Sequence, residues 1–500
     1  MTTELPRLAS APGRWILLAT VLGSSVASLD ATVVNIALPR IAESLHTDVA
    51  GLQWTLNGYT LTLASFILLG GSLGDRLGRR RVFLWGAVAF GITSVLCGAA
   101  TSIEMLVAAR ILQGVAGAML TPGSLALIAS SLDRRDQGAA IGLWSGFGGV
   151  AGALGPFLGG WLIDVAGWRS LFFLNVPLTL VVVLVARRHV PESRDPDAPA
   201  RLDIPGAFVI ALALGALTFG LIDGAPLLLV AGVALLAAFV AIELRSDHPL
   251  VPPRLFASRV FTAANLVTLA VYAALGGVFF LLVLQLQLVA GYSPLRSGAA
   301  TVPITLIMLA LSAPAGRWAQ RNGARLPMTA GPLLAAAGLL LLTRIGPESP
   351  YLHDVLPGVL IFGLGLAALV APLTGAVLGA VPAGEAGIAS GVNNAVARTA
   401  QLLAVAALPG LAGLTGALDD PVAFDQGFGR AMVICAGLLV TGSVLAAVLL
   451  RPRHTASLDG VDCMPQCAAA TGPALAPARI GADRPDPAAP EDRGGEGRPG

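Results

Sequence analysis

Fourteen apolar runs, most of them about twenty residues long, set the limits on how this chain can fold. They lie near 15–38, 50–72, 82–100, 105–128, 139–162, 170–186, 204–222, 225–243, 261–290, 298–318, 327–343, 355–380, 388–412 and 430–450. Coiled as a helix, about twenty residues span roughly 30 Å, the thickness of a bilayer's hydrocarbon core. No water is available in that layer, so each crossing segment must pair its own backbone groups, as a helix does. The runs therefore predict an all-α integral membrane protein. Charge agrees: only 12% of the 500 residues are charged, against about 25% in soluble domains, and the mean hydropathy is +0.78.

Arginine placement predicts the orientation. The chain has no Lys, and 20 Arg fall at the N-terminus, in the loops on its side and just after the last run, whereas the opposite loops carry five: Arg40, Arg169, Arg296, Arg344 and Arg430. The positive-inside rule then places both ends in the cytoplasm of a bacterial-type cell. The first run has no A-x-A cleavage site behind it and is too long for a signal peptide, so it is expected to be retained. Two stretches echo each other: "GGSLGDRLGRRR" after the second run and "GRWAQRNGAR" after the tenth. If they mark equivalent loops, the chain divides into a cytoplasmic N-terminus (1–14), a six-helix bundle (15–190), a linker with two extra spans (191–260) and a second six-helix bundle (261–452). Repeated halves around a midplane site are the usual build of a secondary transporter. Residues 453–500 are rich in Pro, Ala, Gly, Asp and Arg without periodicity and are expected to form a disordered cytoplasmic tail. Cys97 and Cys435 lie in apolar runs as packing residues, and the Cys463/Cys467 pair in the tail is too sparse for a metal site.

Within the runs, charge is scarce enough to be informative. The five His (46, 189, 248, 353, 454) fall in loops or the tail, and Glu104, Asp164, Asp223 and Glu243 sit at span ends, where a side chain can reach water. Asp30, in "SLDATVVNIALP", is both acidic and deep. A carboxylate at that depth costs on the order of 2.5–3.5 kcal/mol. It is either fixed by a neighbouring helix for packing or assembly, or protonates and deprotonates as access alternates. Burial favours the neutral acid and a nearby cation the carboxylate, so a moving partner can switch its state. Arg110, the other deep charge of the first half, is the candidate partner, unless it only snorkels outward. Asn394, Arg398 and Gln401 share a face of the thirteenth run, lining a central cavity or bonding the bundle together. Gly148, Gly152, Gly155 and Gly159 recur at helical spacing in the fifth run, where they allow close helix contact, and Pro156 permits a bend. The spans contain no metal-spaced His/Asp/Glu cluster and the loops no phosphate or Ser-nucleophile signature. No enzyme activity, metal or cofactor is expected.

Several stretches together resemble the major facilitator superfamily, and within it the fourteen-helix drug:proton antiporters. "GSLGDRLGRRR" is similar to the superfamily's loop signature, with Gly71, Asp75, Arg76, Gly78, Arg79 and Arg80 in register. "RILQGVAGA" (from Arg110) resembles the fourth-helix motif, "LDATVVNIALP" the first-helix signature, and "GPFLGG" (Gly155, Pro156, Gly159, Gly160) the fifth-helix antiport motif, with Ala151 where that motif often has Gly. "WRSLFFLNVP" and "QLVAGYSPLRSG" also look typical of the branch. The resemblance implies a major facilitator fold and proton-coupled efflux of small amphiphilic compounds, with Asp30 and Arg110 coupling protons and the loop cluster acting as a conformational latch. A proton-coupled importer and a non-transporting receptor or scaffold are the alternatives. Expected partners are a small organic substrate, protons and the lipid bilayer, with no nucleic acid and the chain acting as a monomer. Asn35, Asn57, Gln113, Gln287, Asn394 and Arg398 are candidate substrate contacts. With one deep carboxylate against two deep arginines, neutral, monocationic or weakly anionic substrates are expected.

Overall fold

The computed structural model describes residues 5–195, 203–246, 249–382 and 385–450. The predicted tail, with Cys463, Cys467 and His454, lies outside these residues, as does His248. Fourteen long helices follow one another: α1 (Ala11–Leu45), α2 (Val49–Leu77), α3 (Arg79–Gly98), α4 (Ile103–Ser131), α5 (Arg134–Ala166), α6 (Arg169–His189) and α7 (Ile204–Ile222). The remainder are α8 (Pro226–Glu243), α9 (Arg259–Leu284), α10 (Pro294–Asn322), α11 (Arg325–Leu342), α12 (Leu356–Leu378), α13 (Ala386–Ala412) and α14 (Pro421–Leu449). Among the described residues thirteen helices are long and apolar enough to cross a membrane, and α5 adds the apolar segment Leu154–Ala166. Polar side chains start several of them: Ser10, Asp48, Ser102, Ser258 and Ser293 each accept a first-turn amide, which satisfies a donor that the helix itself leaves free.

The helices outrun the apolar segments that predict them. Pro39, expected to close the first run, sits inside α1, which continues to Leu45 and also starts within the expected N-terminal segment, at Ala11. The expected loop at 70–81 is almost all helix: α2 runs through Asp75 and Arg76 to Leu77, α3 begins at Arg79, and Gly78 alone makes the turn with φ +117°. Gly323, with φ +95°, makes the turn between α10 and α11 together with Ala324. A side chain at either position would strain the backbone, so these glycines are the physical content of the echo. Glu243 departs from expectation too. It is buried at 4% exposure, with Oε2 accepting the Val251 amide.

Two bundles repeat one packing scheme. α1 packs on α5 and α6, α2 on α4, and α3 on α4 and α6; likewise α9 packs on α13 and α14, α10 on α12, and α11 on α12 and α14. α5 and α10 join the bundles on one side and α2 and α13 on the other. α7 lies along α2 and α13, with Phe208 against Phe66 and Phe219 against Trp54. Large apolar side chains such as Leu227, Val448, Leu411 and Leu212 face outward, 60% to 80% exposed, as lipid contact requires and water does not tolerate in quantity.

The α5–α10 seam closes at one end only. At the Arg-poor end, Gly298 meets the Pro156 carbonyl and Gly160 the Pro294 carbonyl, backbone on backbone. Gln287 reaches across from a π-helical turn at Gln285–Val289 to the Ile36 carbonyl on α1 (3.0 Å), and Asp164 accepts the Leu295 amide. Toward the Arg-rich end, α10 from 305 to 322 has Ala319 as its one buried residue, and Gly138, Gly142 and Gly152 on α5 face open space.

Candidate functional site: a buried charge cluster in the first bundle

Five helices deliver side chains to one point inside the first bundle. α1 supplies Asp30, α2 Tyr59 and the Thr55 carbonyl, α3 Ser94 and Cys97, α4 Arg110 and Gln113, and α6 Asn175 and Phe172. Arg110 Nη1 donates to Asp30 Oδ2 at 2.5 Å, and both side chains are 1% exposed. The same nitrogen donates to Gln113 Oε1 at 2.7 Å, while Nε donates to the Thr55 carbonyl at 3.2 Å. The guanidinium lies over the Tyr59 ring, 4.4 Å from its centre. On the other carboxylate oxygen, Asp30 Oδ1 accepts from Asn175 Nδ2 at 2.9 Å and from Gln113 Nε2 at 3.2 Å. Ser94 Oγ accepts from both amides, at 2.9 and 3.4 Å, and holds them in place.

A buried charge is tolerated when it is paired and its remaining lone pairs are filled. Both oxygens of Asp30 are engaged: Oδ2 by the guanidinium and Oδ1 by two amides.

The sequence reading named Asp30, Arg110 and Gln113, and the structure brings all three together. It missed Asn175 and Ser94. Asn175 stands inside "WRSLFFLNVP", but a lone amide or hydroxyl in a helix gives no signal of where it points.

The other expected residues are spread over the molecule. Gly155 and Gly159 press on Thr32 and Val33 of α1, and Gly160 on α10, so the α5 motif lies at the closed end of the seam. Gln287 is committed to that closure. Asn35 bonds its own helix at the Ala31 carbonyl. Asn57 is buried with its amide nitrogen unpaired, and Arg398 reaches Gln401 on its own helix. At the Arg-rich end, Asp75 pairs with Arg79 at 2.8 Å. The segment after α6 crosses this corner. Glu192 Oε1 accepts the Arg80 amide, Ser193 O accepts the Arg79 amide, and Asp195 N donates to the Asp75 carbonyl. Glu192 fills the space beside Gly78 and places a carboxylate at the start of α3, within 3.8 Å of the Arg80 guanidinium. Glu192 carries no periodic signal and was not foreseen.

A helical membrane bundle of two like halves around a shielded carboxylate–guanidinium pair is the usual build of a secondary membrane transporter. The match to the Major Facilitator Superfamily covers residues 20–405, and the chain belongs to that family. It is 35% identical over 469 residues to a puromycin resistance protein of Streptomyces alboniger, covering 89% of this chain and 93% of that one. It is also 35% identical to a tetracenomycin C resistance and export protein of Streptomyces glaucescens, over 78% of this chain and 74% of that one. Among solved structures, a bacterial homologue of the lysosomal transporter Spinster shares the fold at TM-score 0.63 and 17% identity, covering 88% of this chain and 97% of that one. The xylose transporter of E. coli does so at TM-score 0.59 and 15% identity, covering 89% and 98%.

Proposed function

We propose that the protein exports small amphiphilic organic compounds across a bacterial cell membrane in exchange for protons. The observation that carries this reading is the Asp30–Arg110 pair, enclosed where five helices meet, so that water reaches it only when those helices move. In this cycle a proton entering from outside displaces Arg110 and the amides from Asp30. Return of Arg110 as access switches favours the carboxylate again and expels the proton inward. The names of the resistance and export proteins among its relatives support the outward direction for the organic compound. Both termini lie in the cytoplasm, residues 15–190 and 261–452 form the two moving halves with 191–260 inserted between them, and one chain suffices as the working unit. In that orientation the open end of the α5–α10 seam faces the cytoplasm, where an exporter loads. Gln113 and Gln287 are already engaged by the protein's own groups, so Asn57, Asn394 and Arg398 are the better-placed substrate contacts.

The test is a host stripped of its own pumps. Expression should raise tolerance to amphiphilic inhibitors and lower their accumulation, and a protonophore should restore it. Accumulation that rises on expression would reverse the direction, and a reporter fused after residue 190 that reads external would reverse the orientation.

Asp75, Arg79, Arg80 and the 190–195 segment act as the latch, released once per cycle. Asp75→Asn and Glu192→Gln each remove a charge-assisted contact worth about 1–2 kcal/mol, so turnover is expected to change by roughly tenfold while substrate affinity stays within about twofold. Affinity lost with turnover intact would refute the latch.

A further inference from the structure

The second deep cation has no counterion. Arg398 is half-buried midway along α13, and among the described residues no carboxylate lies within ion-pair distance of it. Its one hydrogen bond among the described residues, to Gln401 Oε1 at 3.5 Å, is on its own helix and ties nothing together. The neighbouring helices can be placed by register. Gln53 on α2 donates to the carbonyls of Val405 and Ala406, and Leu68 faces Gly391, so α2 and α13 run antiparallel. Asn57 follows Gln53 by one turn on the same face and falls opposite Gln401. It is 1% exposed, and its amide nitrogen has no partner. On α9, Thr268 accepts from Asn393, and Gly276 abuts the Gln401 backbone. Tyr272, midway between them on that face, falls opposite Arg398.

The seam between α2, α9 and α13 thus gathers a guanidinium, a free amide donor and a phenol, and among the described residues no carboxylate. Arg110 is paired with Asp30, so among the described residues Arg398 is the deep arginine without a counterion. We propose that this seam is the subsite for an acidic group on the exported compound, a phenolate or carboxylate on an aromatic amphiphile, with Arg398 as its counterion and Asn57 as a second donor. The inference rests on the efflux reading and narrows the substrate range expected from sequence. A lipophilic cation placed here would meet like charge in a medium that screens it poorly.

The experiment measures binding of three probes to the full chain in lipid nanodiscs: alizarin, an acidic hydroxyanthraquinone; its neutral dimethyl ether; and ethidium, a permanent cation. Wild type should bind alizarin roughly tenfold or more tighter than the ether, as expected for a charge-assisted hydrogen bond, and ethidium more weakly than either. Arg398→Gln should erase the preference for the acid, Arg398→Lys should keep most of it, and Asn57→Ala should weaken alizarin several-fold. Equal affinity for acid and ether in wild type, tighter binding of ethidium, or a preference that survives Arg398→Gln overturns the proposal. If Arg398→Gln does not fold, Arg398→Lys decides: a folded Lys variant without the preference, or loss of all binding in both variants, also overturns it. Failure of the efflux reading would show separately, as unchanged accumulation of every inhibitor in cells expressing the wild-type chain.

Discussion

Asp30→Asn is expected to abolish proton-driven accumulation while leaving a folded protein that still binds its substrate. One proton moving through about 100 mV and one pH unit supplies roughly 3.7 kcal/mol, equivalent to a gradient of roughly 500-fold. The Asn variant should hold a gradient near one, because its side chain keeps an oxygen for Arg110 but has no proton to carry. Substrate counterflow at equal pH, which needs no coupling, should survive. Arg110→Ala should do more harm. It leaves Asp30 enclosed without its cation, and breaking a buried ion pair costs about 3–5 kcal/mol, so thermal stability should fall along with transport. Arg110→Lys keeps the charge but loses the fork that reaches Asp30, Gln113 and the Thr55 carbonyl at once, and partial rescue at most is expected. Uptake into proteoliposomes with and without an imposed pH gradient separates these outcomes. Gradient-driven accumulation by Asp30→Asn at the wild-type level would remove Asp30 from the mechanism.

The fourteen helices were legible because each apolar run answers to one physical requirement, pairing of the backbone in hydrocarbon. Their ends were less so. Polar residues such as Asp75, Arg76, Arg40 and Glu43 continue the helices beyond the apolar layer, and hydropathy cannot tell such an extension from a loop. Asp30 and Arg110 stood out because charge at depth is rare. Ser94 and Asn175 did not, since hydroxyls and amides are ordinary in membrane helices and their importance lies in which neighbour they meet. Glu192 was invisible for a different reason. It acts through a tertiary contact more than a hundred residues away from Arg80 in sequence, and a linker carboxylate has no periodicity to mark it. Gln287 shows the opposite case. An amide in the last span before a loop reads as a substrate contact, yet the π-helical turn swings it onto α1. The residues that hold the closed end together are therefore as specific as those at the charge pair, and they can be tested independently of it.

Gly298→Ala and Gly160→Ala should each hold that end open. A Cβ at Gly298 would lie 2.1 Å from the Pro156 carbonyl oxygen, and one at Gly160 would lie 2.5 Å from that of Pro294. Both contacts are with backbone, which cannot rotate aside, so α5 and α10 must separate by roughly an ångström to restore a van der Waals distance of about 3.5 Å. That separation also withdraws the Leu295 amide from Asp164, the neighbouring contact across the seam. Alanine is a better helix former than glycine by about 1 kcal/mol, so both helices should be intrinsically firmer and any loss must come from the crossing itself. Under alternating access, a transporter that cannot close outside cannot open inside. Transport should fall at least roughly tenfold for either substitution and further for the pair, while the thermal midpoint stays within a few degrees of wild type. Spin labels at Ala166→Cys and Arg296→Cys, on the two sides of the closed end, report the change directly. The short distance that dominates in the parent should give way to a longer one in either variant. An unchanged distance distribution together with normal transport would mean that the backbone contact of α5 with α10 is not the outer gate.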